Sequence, residues 1–181
     1  TCLPKSLQPD ARMPRCCAEA RNSVALALND GAGWFEQSEK YRSGHGAIRG
    51  LAVADLSGDG VPDVVVANGD DRDLSVFTNN GLGGFFAEPD HSPTTAPAAC
   101  VNCADIDHQL GSDIVTVESE QNSPNVVSWR FNLGGGTFGD LHTSEVIASC
   151  TDDDFCLTDV HEDNDGDIDV VASWSSGSAG G

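Results

Sequence analysis

The chain has 181 residues, 29 acidic and 9 basic, and a formal charge of −20. That charge excludes nucleic acid and an anionic membrane surface as direct partners without intervening cations, and no apolar run approaches the roughly 18 residues of a membrane-crossing helix. A disordered acidic tail is excluded as well, because 39% of the residues are hydrophobic and they gather in runs such as Val64-Val65-Val66 and Val170-Val171.

Residues 1–21 form a Cys-rich segment with Cys2, Cys16 and Cys17, and a short helix is expected near Ala11 to Arg21. The first residues lack a signal peptide's apolar centre, so a mature or truncated product is expected. Seven cysteines in an acidic, glycine-rich chain point to an oxidising compartment. The odd count leaves at least one thiol free or joined to another chain. Cys100-Val-Asn-Cys103 has no second CxxC and no redox-fold context, so a structural disulfide is expected there, and a local one between Cys150 and Cys156.

Two units then repeat. The first is a strand, a glycine turn and an aromatic: Val24 to Phe35, Leu74 to Phe85 and Val127 to Phe138, with aligned Asn29, Asn79 and Asn132 spaced 50 and 53 residues apart. The second is an acidic loop leading into an apolar strand: Asp55 to Asp63 before Val64, Asp105 to Asp113 before Ile114, and Asp159 to Asp169 before Val170. The apolar runs are short, valine-rich and bounded by Gly, Asn, Asp or Pro, which favours strands over helices. Short strands at regular spacing imply stacked or radially arranged small sheets.

The acidic loops carry the chemistry. Oxygen ligands at alternating positions let a short loop wrap a hard cation, while glycine allows the sharp turn. In the first loop Asp55, Ser57, Asp59 and Asp63 offer side-chain oxygens, Val61 offers its carbonyl, and Gly60 follows the third ligand. An EF-hand is excluded, because its twelfth position is Val66 and the flanks read as strands.

Asp-x-Ser-x-Asp-Gly-x-x-Asp at 55–63 and Asn-Asn-Gly-Leu-Gly-Gly-Phe at 79–85 resemble the FG-GAP and VCBS repeats of integrin α-chain propellers, fungal lectins and many secreted proteins. The resemblance covers about residues 22–174. It implies an all-β fold of β-propeller-type repeats built from short antiparallel strands, with about three blades at 22–86, 87–139 and 140–174, then a Gly/Ser-rich tail at 175–181. It also implies calcium held in a loop between two strands of each blade. The second loop keeps Asp105, Asp107 and Asp113 but has Gln109 and Leu110 where the pattern has an acid and glycine, so calcium and a plain acidic turn both stay open. The third keeps Asp163, Asp165, Asp167 and Asp169, with His161 at the first position; Asp159 replaces it as ligand if the loop carries a two-residue insertion.

Catalytic chemistry finds no support: the five histidines are scattered, no nucleophile elbow occurs, and the paired carboxylates are better read as metal ligands. Trp34, Trp129 and Trp174 are expected to pack within blades rather than stack on sugars. The expected function is a non-enzymatic, extracellular or cell-surface adhesion or scaffold module, stabilised by Ca2+ and contacting protein or glycan partners. The alternatives are a carbohydrate-binding lectin and an accessory module of a secreted polysaccharide-active enzyme. Three repeats fall short of the four to eight blades of a closed ring, so the chain is expected to be a fragment or one contributor to a larger assembly.

Overall fold

The computed structural model describes residues 22–44, 46–120, 125–144, 155–160 and 169–174. They form twelve strands in chain order: β1 (Ser23–Asn29), β2 (Phe35–Arg42), β3 (Ile48–Ala54), β4 (Asp63–Asn68), β5 (Asp73–Phe77), β6 (Asp90–Pro93), β7 (Ala98–Ala104), β8 (Asp113–Glu118), β9 (Val126–Arg130), β10 (His142–Thr143), β11 (Phe155–Val160) and β12 (Asp169–Trp174). Two four-stranded sheets, β3-β4-β5-β6 and β7-β8-β9-β10, are accompanied by two two-stranded ones, β1-β2 and β11-β12. Every pairing is antiparallel. The all-β, partly propeller-like architecture expected from the repeats is present, while the helix expected near residues 11–21 lies outside the described residues.

The strands after the first two acidic loops, β4 and β8, are buried along their whole length, and such strands are rich in valine because both their faces are covered. Successive side chains alternate between faces, so Val65 and Ala67 of β4 join Leu56, Leu74 and Val76 in packing against Val101 and Ile114 of the next sheet. Val64 and Val66 face the other way, into a cluster with Val24, Tyr41, Phe77 and Phe85. Burying a side chain such as Leu74 or Phe77 contributes about 1.5–3 kcal/mol, and both are at most 1% exposed.

Neighbouring sheets bring their backbones close together at Gly50. A Cβ there would lie 3.1 Å from the Val101 nitrogen and 3.2 Å from the Cys100 Cα, both backbone atoms. Small size, not conformational freedom, is what this position requires.

Each four-stranded sheet also holds down the connection that enters it. Glu118 at the end of β8 is fully buried, and its carboxylate accepts bonds from the Thr95 and Ala96 amides at 2.9 and 2.7 Å, from the Thr95 hydroxyl and from Ser128. In the preceding sheet the equivalent pair is Asn68 and Ser75, whose side chains both donate to the Ser43 carbonyl. An uncompensated buried carboxylate would be costly; four donors make it a fastening.

The structure corrects the expected Cys100–Cys103 disulfide. Both residues lie on β7, three positions apart, so they point to opposite faces: Cys100 into the cluster with Val115 and Val117, Cys103 against the one containing Ile114. An extended strand separates such Cα atoms by about 10 Å, beyond the roughly 7 Å that a disulfide spans. Burial and the nearby Asp113 charge push the Cys103 thiol up to about 12, which leaves it unreactive at neutral pH. The expected Cys150–Cys156 pairing lies outside the described residues, as do Cys2, Cys16 and Cys17.

Trp34 is also corrected: it sits at a hairpin tip, 75% exposed, instead of packing inside a blade. Trp129 is half-buried and stacks on His142 at 5.6 Å, whereas the side chain of Trp174 lies outside the described residues.

The Gly50 contact yields a direct test. Gly50→Val forces backbone apart between two sheets, and an overpacked substitution of this kind costs about 1–3 kcal/mol. Urea denaturation should show that loss as a lower midpoint at unchanged slope.

Candidate metal centres

The three acidic loops are of equal length. Ala54 pairs with Asp63, Ala104 with Asp113 and Val160 with Asp169, and each pair closes a loop of eight residues. The closing aspartates Asp63 and Asp113 are fully buried at the start of their strands. Asp63 Oδ2 accepts the Leu56 and Ser57 amides at 2.9 and 2.7 Å, and Oδ1 accepts both the amide and the side-chain nitrogen of Asn79 at 2.9 Å. Asp113 repeats the device, with the Ile106 amide at 2.9 Å and the Asn132 amide at 2.7 Å.

In the first loop the remaining acids point inward onto the turn. Asp55 accepts the amides of Gly58, Asp59 and Gly60 at 2.7, 3.1 and 2.8 Å, and Asp59 accepts that of Val61 at 2.8 Å. Gly58 and Gly60 sit at φ +79° and +85°, which wraps the backbone around these carboxylates. Ser57 Oγ is buried with no hydrogen-bond partner. A buried hydroxyl oxygen without a partner calls for one, and a hard cation bound in the loop would supply it.

The second loop brings its three predicted acids together: Asp105, Asp107 and Asp113 each place a carboxylate oxygen within 4.8 Å of the others. Oxygens this close fit around one ion with ligand distances of about 2.3–2.6 Å. Burial pushes the Asp113 carboxyl above its ordinary 3.8, opposed by the Asn132 and Ile106 amides and reinforced by the Asp107 charge. Its raised pKa means that ionisation costs stability above that pKa, a cost relieved as pH falls through it; a cation would offset the same cost at neutral pH. The glycine missing at Leu110 is compensated one residue on, where Gly111 has φ +113°, while His108 takes the left-handed conformation of Gly58 at φ +56°.

In the third loop the equal length removes the insertion that was to bring Asp159 to the first ligand position. Asp159 lies within β11 opposite Val170, and His161 follows Val160 as Asp55 follows Ala54. Asp169 begins β12 as Asp63 begins β4. Asp163, Asp165 and Asp167 lie outside the described residues.

Sequence reasoning missed the asparagines. Beyond binding the closing aspartates, Asn79 and Asn132 accept the amides of Gly81 and Gly134 at 2.9 Å, as Asn29 accepts that of Gly31 at 2.7 Å. Each also pairs with the aromatic that ends its hairpin: Asn29 with Phe35, Asn79 with Phe85 and Asn132 with Phe138. The 50- and 53-residue spacing of these asparagines was the available signal. In addition, Asn132 Nδ2 donates to the Leu56 carbonyl of the preceding blade at 2.9 Å.

A family model described as FG-GAP-like repeat matches residues 16–66 and 55–108, together more than half of the chain. The chain therefore belongs to the FG-GAP-like repeat family. No curated protein matches it. FG-GAP repeats are found in adhesion and structural modules, mediate protein contacts, are typically non-enzymatic and often bind Ca2+. Proteins containing them are often extracellular. Among the described residues, no helix is long and apolar enough to cross a membrane.

The closing aspartate can be separated from a metal ligand by experiment. Asp63→Ala leaves the buried donors of Leu56, Ser57 and Asn79 unsatisfied, a loss of about 3–5 kcal/mol when several charge-assisted bonds go together. Melting in excess chelator should show the full loss, because these bonds are made within the chain.

Proposed function

We propose that the chain is a calcium-stabilised, non-enzymatic adhesion or scaffold module that acts outside the cell or at its surface. The observation that carries this reading is the convergence of Asp105, Asp107 and Asp113 within 4.8 Å, in a loop whose counterpart holds the orphaned Ser57 Oγ. In the first loop Asp55, Ser57, Asp59 and the Val61 carbonyl supply ligand oxygens, and Asp63 fixes the loop to its strand. Asp163, Asp165, Asp167 and Asp169 form the corresponding set in the third.

The ion supplies positive charge where several carboxylates meet without a basic side chain. The chain's own contribution is to hold those oxygens in place: Asp63 and Asp113 tie each loop start to the next hairpin, so a filled loop stiffens the end of its blade. Sets of three or four oxygens without a bidentate Glu correspond to affinities of roughly micromolar to millimolar, within reach of extracellular calcium. The blade surfaces then contact protein or glycan partners. A lectin role has one observation in its favour: Trp34, 75% exposed at a hairpin tip, has the apolar face and N–H that sugar stacking uses.

Calcium should raise the melting temperature of the intact chain, and chelator should reverse the rise. An ion at about 100 times its Kd adds about 2.7 kcal/mol. Asp107→Asn should remove the part due to the second loop while leaving the chelated melting temperature unchanged. Melting indifferent to both calcium and chelator would overturn the proposal.

A further inference from the structure

Asn132 lies between the first and second acidic loops and is bonded to both. Its backbone amide donates to Asp113 Oδ1 at 2.7 Å and its side-chain nitrogen to the Ser112 carbonyl at 3.1 Å, both at the end of the second loop. The same side-chain nitrogen donates to the Leu56 carbonyl of the first loop at 2.9 Å. A carboxamide has two hydrogens to give, and Asn132 gives one to each loop. Its oxygen accepts the Gly134 amide at 2.9 Å, so the side chain is fully engaged while the residue is 2% exposed. The loops also approach one another directly. A Cβ on Gly111 of the second would lie 3.8 Å from the Asp55 carbonyl of the first and 3.7 Å from Asn132 Nδ2.

These bonds fall on the residues that shape the two sites. Leu56 stands between Asp55 and Ser57 of the first loop, and its amide donates to Asp63 at 2.9 Å. Asp113 is one of the three acids that converge in the second. Both loops and the hairpin of Asn132 belong to the two four-stranded sheets.

We propose that Asn132 couples the two loops, so that a calcium ion held in one raises the affinity of the other. The inference rests on the calcium reading above. With Asp55 and Ser57 held on an ion, the Leu56 carbonyl between them is held too. Asn132, fastened to that carbonyl, then keeps Ser112 and Asp113 in the arrangement that the second loop needs. The ordering cost met in filling one loop is therefore not met again in filling the other. Charge alone works in the opposite direction, because two bound cations repel.

The test titrates the 181-residue chain with calcium and follows the amide resonances of Gly58 and Gly60 in the first loop and of Gly111 in the second. Asp59→Asn keeps an oxygen for the Val61 amide while disabling the first loop. Coupling factors are commonly about 5–150, so the calcium concentration that half-fills the second loop should rise about twofold or more. Asp107→Asn should likewise raise that of the first loop, because coupling is reciprocal. Charge alone predicts the other sign. The filled first loop, with Asp55, Asp59 and Asp63 around a divalent ion, keeps a single negative charge, whereas the empty Asp59→Asn loop keeps two and would draw the second ion in more strongly. Asn132→Ser keeps a side-chain oxygen for the turn and loses the nitrogen; in that background Asp59→Asn should leave the second loop's midpoint unmoved. Should the Asn132→Ser chain not fold, the sign of the shift in Asp59→Asn decides alone. Loops that respond to calcium with midpoints unmoved or lowered by disabling the other would overturn the coupling and leave the calcium reading standing. Loops whose amides do not respond to calcium would overturn both, and a coupling that survives Asn132→Ser would overturn the assignment to Asn132.

Discussion

A buried carboxylate at the start of a strand organises each described acidic loop. Asp63 and Asp113 are completely removed from water, where an ionised group without donors would be untenable. Each instead collects amides from two places, the start of its own loop and the asparagine of the following hairpin. One side chain thus fixes loop conformation, strand register and hairpin position together. In the second loop Asp105 and Asp107 are thereby held beside Asp113, all three within 4.8 Å of one another, where a cation would offset their mutual repulsion.

The valine-rich strands follow from the same constraint. Once the loop is fastened, β4 and β8 enter the middle of their sheets with both faces turned toward neighbouring sheets. Gly50 then sets how closely those sheets approach, and Glu118 fastens the connection that leads from one to the next. Polar anchoring at the strand ends and apolar stacking between them are therefore two parts of one construction.

Much of this was legible in the residues. The spacing of Asn29, Asn79 and Asn132 and the Asp-x-Ser-x-Asp-Gly-x-x-Asp pattern identify repeat, strand and loop, because local turn chemistry and valine runs are written directly in sequence. What stayed hidden depends on faces and neighbours. Cys100 and Cys103 are close in sequence yet lie on opposite sides of β7. Asp159 reads as a loop acid until the β11-β12 register places it in the strand. The structural duty of Asn79 and Asn132 is invisible without Asp63 and Asp113 beside them, and a compensating Gly111 could not be weighed until its backbone angle was known.

Leu56 occupies a particular position in this construction. Its amide donates to Asp63 of its own loop, while its carbonyl accepts the Asn132 side chain at 2.9 Å and the Gly136 amide at 3.1 Å from the next blade. The backbone of a single residue thus links one acidic loop to the hairpin that secures the following one. Blades connected in this way behave as nearest-neighbour units in a linear array, where opening one loosens the adjacent one before any distant one. Fraying should then travel blade by blade along the chain, so that the array melts as a front and not as independent parts.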